Sequence, residues 1–95
     1  MSHEIKCQFR IYKQSSNRLL DEVHNSIVGI YPGAVATNLS SATIDNRTAV
    51  GKEYLLSFDS DETQNQVYHL LKHQCPASVE ALSVLAHWSV EVLEH

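Results

Sequence analysis

Leu82-Ser83-Val84-Leu85-Ala86-His87-Trp88-Ser89-Val90-Glu91-Val92 is the stretch that decides the fold. Leu82, Val84, Ala86, Trp88, Val90 and Val92 recur at every second position, the period of one face of a pleated strand. The segment therefore reads as one long strand, with Ser83, Leu85, His87, Ser89 and Glu91 on its wet side. A sheet with a single apolar face needs a second layer packed on that face. Upstream, Val67, Leu70, Leu71 and Cys75 form a helical stripe. Ser60 or Asp61 can cap this helix, Gln64 completes a capping-box spacing with Asp61, and Pro76 stops it.

Further back, Tyr54, Leu56 and Phe58 alternate with Glu53, Leu55 and Ser57, which predicts another strand, with Asp45-Asn46 and Gly51 bracketing a loop before it. Ala34 to Ile44 is poor in large apolar groups and reads as a single strand at a sheet edge. Pro32-Gly33 marks a tight turn, and a helix precedes it over about Asn17 to Ile30, with Leu19, Leu20, Val23, Ile27 and Ile30 on one stripe. Arg18 and Glu22 stand four apart on its other side and can pair. Gln14-Ser15-Ser16-Asn17 supplies turn chemistry and an N-cap. The first strand carries Ile5, Cys7, Phe9 and Ile11 on its dry face and Lys6, Gln8, Arg10 and Tyr12 on its wet face.

The order is thus β-α-β-β-α-β. The three alternating strands and two amphipathic helices give a chain that resembles the ferredoxin-like α+β architecture, a βαββαβ sandwich. That resemblance implies a four-stranded antiparallel sheet with two helices on one face, the first and third strands central and the fourth beside the first. It is a resemblance to an architecture, which hosts many unrelated functions.

Ninety-five residues make one domain, read here as 1–92. Leu93-Glu94-His95 reads as the start of a histidine purification tag. A chain of this size hides roughly 60–70% of its unfolded surface and needs neither disulfide nor structural metal. The N-terminus lacks the apolar core of a secretory signal, and no run reaches the roughly 18 apolar residues of a membrane helix. The expectation is a cytoplasmic protein in which Cys7 and Cys75 are buried free thiols, with no cofactor. Seven basic residues against eleven acidic ones give a net charge of −4, which counts against a nucleic-acid partner, because phosphate neutralisation supplies most of such affinity.

On the wet sheet face, Lys6, Arg10, Tyr12 and His87 form the candidate binding set, suited to a phosphate or carboxylate. Plain amphipathicity also accounts for polar residues there. Leu55 and Leu85 would be apolar spots on that face, where two copies could pack as a homodimer. The octamer Gly51-Lys52-Glu53-Tyr54-Leu55-Leu56-Ser57-Phe58 has a superficial likeness to an RNA-recognition signature, but its register turns Tyr54 and Phe58 inward. His69 and His73 have metal-ligand spacing on one helix, yet zinc needs a third ligand, and Cys75 points elsewhere. His24 flanks an apolar stripe, and Arg47, Gly51 and Lys52 belong to a solvated loop. No catalytic set can be assembled from spacing.

The sequence therefore predicts a small, non-catalytic binding or regulatory module, dimeric, contacting a small anionic ligand or a protein partner. The alternative is an RNA-binding or RNA-cleaving protein. The chain is similar in length and element order to certain bacterial antitoxins and small endoribonucleases with this architecture. Arg10, Tyr12 and His87 would then hold or activate phosphate, with Glu91 recruiting a divalent ion.

Overall fold

The computed structural model describes residues 3–13, 17–75 and 79–94. The turn read at Gln14-Ser15-Ser16, the stop read at Pro76, and His95 lie outside them. The elements run β1 (His3–Tyr12), α1 (Asn17–Ile30), β2 (Val35–Asn38), β3 (Ala42–Ile44), β4 (Arg47–Phe58), α2 (Asp61–His73), α3 (Val79–Ser83) and β5 (Leu85–Glu94). This is a mixed α+β fold with a five-stranded antiparallel sheet and three helices. The sheet order is β2-β4-β1-β5, with β3 also paired to β4. Strands β1 and β2, joined through α1, thus lie on either side of β4.

The dry face of β1 is Ile5, Cys7, Phe9 and Ile11, each at most 2% exposed. Leu19, Val23 and Ile27 from α1 pack on it, with Val67 and Leu71 from α2, Ala81 from α3, and Tyr54, Leu56 and Phe58 from β4. Removing each large side chain from water contributes about 1.5–3 kcal/mol. Arg18 pairs with Glu22 within α1 and also reaches Glu80, tying α1 to α3.

Several readings of the sequence are corrected. The stretch 34–44 is two short strands rather than one, and an extra helix precedes β5. Leu82 lies on that helix, half exposed, and the last strand begins only at Leu85. The alternation from Leu82 to Val84 meant nothing, because two apolar residues fit either period. Leu85 is turned inward as well. Arg10 stands opposite His87 but Ile11 stands opposite Leu85, so Ala86 is an extra residue in the ladder. Such a bulge reverses side-chain parity on one side of itself. Leu85 consequently packs against the core together with Trp88 and Val90.

The loop read between Asp45 and Gly51 is a tight hairpin. Asp45 and Asn46 both have positive φ (51° and 63°), and Ile44 pairs directly with Arg47. Two left-handed residues make a turn whose twist matches the flanking strands, and Asp and Asn tolerate that conformation best after glycine. Arg47, Gly51 and Lys52 accordingly belong to β4. Finally, Ser60 caps α2 by accepting from the Thr63 N–H, while Gln64 is buried and its side chain donates to the Glu4 carbonyl on β1. Gln64 thus anchors helix to sheet instead of closing a capping box.

Candidate functional site

The outer sheet face carries Lys6, Gln8, Arg10 and Tyr12 from β1, with Glu53 and Leu55 from β4 and His87, Ser89 and Glu91 from β5. Arg10 and His87 are direct cross-strand partners. Lys6 lies four residues along β1 from Arg10, about 13 Å at a strand's rise. The four predicted residues therefore do not converge on one point.

Three of them already have partners. The Lys6 ammonium lies 3.8 Å from the Glu91 carboxylate. The Tyr12 hydroxyl donates to Asp45 at 3.2 Å, and the Arg47 guanidinium covers the Tyr12 ring 3.5 Å from its centroid. Tyr12 thus has one face occupied by a cation, which removes it as an open platform for stacking a base. Arg10 donates through Nη1 to the Ser40 carbonyl at 2.6 Å.

Gly51, on β4, is glycine for a steric reason. A Cβ there would stand 1.7 Å from the Phe9 carbonyl oxygen, so only glycine allows β1 and β4 to approach this closely. Gly51 is also the residue opposite Arg10, and its carbonyl accepts from the Leu39 N–H at 3.0 Å. This bond holds the β2–β3 link, which carries Ser40, beside β4. One of five guanidinium donors is used in the contact of Arg10 with Ser40, and the others remain for a ligand. His87 is exposed and has no hydrogen bond or ion pair among the described residues. Between Lys6 and Arg10 on this face, Gln8 donates to the Glu53 carboxylate at 2.5 Å.

A second polar group was not legible as a set. Tyr54 is fully buried from β4, stacks at 6.2 Å on Phe9, and its hydroxyl lies 2.7 Å from His24 Nδ1. Burial, then the neighbouring Cys7 and Cys75 sulfurs, push the Tyr54 phenol far above its ordinary range. The phenol therefore keeps its proton, and its hydroxyl shares a hydrogen bond with His24 Nδ1. Burial pushes the Cys7 thiol up to about 12, with Cys75 adding to the effect. Cys75, just beyond α2, is pushed up to about 11 by burial, partly offset by a hydrogen bond with Ser26. These are inert thiols, since the thiolate is the reactive form. The sequence signals for the group were separate ones: the inward register of Cys7 and Tyr54, Cys75 on the stripe of α2, and His24 at the margin of the stripe of α1.

On α2, the His69 and His73 rings stack at 5.9 Å on the exposed side, beside an open cleft lined by Asn65, Gln66, Leu70 and Gln74. Among the described residues, no group of three or more His, Cys, Asp and Glu is placed to hold a metal ion. No helix among them is long and apolar enough to cross a membrane.

No protein-family model matches the chain, and no curated protein matches it. Among solved structures it is similar to the de novo designed protein Foldit4, with a TM-score of 0.55 and 9% identity over all of this chain and 99% of that one. At that identity the likeness concerns the fold alone.

Proposed function

We propose that this chain is a small ferredoxin-like binding or regulatory module, homodimeric and non-catalytic, that holds a small anion at the Arg10–His87 pair. The fold reading is supported by the strand order β2-β4-β1-β5, with α1 and α2 packed on the same sheet face. The observation that carries the site is the direct opposition of Arg10 and His87, one fixed at Ser40 with donors to spare and the other unpaired among the described residues. A guanidinium beside an imidazole offers several donors to one phosphate or carboxylate on a rigid surface. Two buried thiols with raised pKa, neither of them in a disulfide, support a reducing cytoplasm as its place of work.

Titrating inorganic phosphate while following the Arg10 and His87 resonances by NMR tests the reading. Saturable shifts at those two residues, lost in Arg10→Ala, are expected. Shifts spread evenly over the outer face, or none, would remove the site. Labelled RNA with and without magnesium is the companion assay. Cleavage that disappears in His87→Ala would replace the binding module with an RNA-cleaving enzyme.

A further inference from the structure

We infer that the free edge of β5 is the homodimer interface, in which β5 pairs antiparallel with β5 of a second copy about a two-fold axis at Ser89. The inference rests on the dimeric reading above and assigns it a surface. Strand β5 runs ten residues and, among the described residues, pairs only with β1, leaving its other edge of backbone donors and acceptors without a strand partner there. The opposite side of the sheet ends in strands of four and three residues. Long open edges template pairing, and proteins that must stay single usually blunt them with proline, lysine or short strands. From Leu85 to Glu94 there is no proline, glycine or lysine.

The register follows from face parity and charge. Opposed residues must share a face, and on β5 the outward ones are His87, Ser89 and Glu91. Centring the two-fold on Ser89 sets each His87 between Arg10 of its own sheet and Glu91 of the second copy, so that one ring nitrogen serves the carboxylate and the other is left for an anion beside Arg10. The same register places Trp88 against Val90 on the inner face. Glu91 is 61% exposed beside Lys6, so it has room for a second donor. Antiparallel pairing also brings the start of one β5 to the end of the other. Exposed apolar groups stand at both ends: Val79 and Leu82 on α3 before the strand, and Val92 near its close. Face-to-face packing of the outer surfaces is less favoured, because Leu85 is turned away from that surface.

Sedimentation of the full chain is the test, and a dimer is expected. His87→Glu puts like charges opposite each other twice, so dissociation should rise at least tenfold, roughly, while the fold is kept by Arg10 facing the new carboxylate. Adding Glu91→Gln to that variant should restore the dimer, and Leu55→Glu, on the outer face, should leave it unchanged. Ser89→Cys should give a covalent dimer on mild oxidation, because directly opposed strand residues lie about 4.5–5.5 Å apart at Cα, within disulfide range. A monomer at all concentrations up to the solubility limit overturns this inference and the dimeric reading together. A dimer that ignores His87→Glu, fails to cross-link through Ser89→Cys or falls apart in Leu55→Glu overturns the β5 edge alone.

Discussion

The two faces of strand β1 are built on different principles. Inward, Ile5, Cys7, Phe9 and Ile11 form an unbroken dry row whose partners are other apolar groups of α1, α2 and β4. Outward, Lys6, Gln8, Arg10 and Tyr12 each meet a different polar partner: Glu91, Glu53, Ser40 and Asp45. The inner face gains from area removed from water, which is non-directional and strong. The outer face gains from individual contacts that solvent largely cancels. One strand thus carries most of its stabilising free energy on one side and most of its specificity on the other.

Substitution along β1 can break this comparison. Phe9→Ala should cost about 3–5 kcal/mol in urea unfolding, the usual range for a fully buried aromatic. Arg10→Ala should cost about 1 kcal/mol or less. Similar losses for the two would mean that the outer contacts are as strong as the core.

The buried thiols sharpen the contrast by pH. Burial holds Cys7 and Cys75 protonated in the fold well above 9.0, the ordinary thiol value, at which the unfolded chain releases those protons. Stability from this source is complete below pH 9 and falls as pH rises through about 11 and 12. A loss of several kcal/mol is expected across that window. It should shrink when Cys7 is replaced by Ala, measured relative to that variant's own stability at pH 8. A flat alkaline profile would mean that the thiols reach solvent.

The smallest effect belongs to the outer face. Arg47→Ala removes the guanidinium from the Tyr12 ring and should cost about 0.5–1 kcal/mol, as exposed cation–π contacts do. A larger loss would show that the β3–β4 hairpin leans on that contact for its position.

How legible each part was follows from range. The dry faces of β1, α1 and β4 could be read because periodicity is local and every residue in a stripe repeats the same message. The bulge at Ala86 was invisible, since nothing in Leu85-Ala86-His87 distinguishes an extra residue from a regular pleat. That single residue moved Leu85 from the wet side to the core. The tyrosine–histidine contact was missed for a related reason. His24 and Tyr54 are thirty positions apart, and helix periodicity alone places His24 only at the margin of a stripe. On the outer face, the sequence placed the polar residues of β1 but not their partners. Arg10 and Ser40 are thirty positions apart and meet only in the fold.

The alternating and helical repeats by themselves fixed which residues of β1, α1 and the end of β4 are dry, where α1 lies and that a sheet must be covered on one side, because a local period is enough to mark a buried stripe. Tertiary structure alone decided which polar groups are spent and which are free. Hydrogen bonds and ion pairs need two atoms at a set distance, and those atoms come from strands and turns that meet only once the chain has folded.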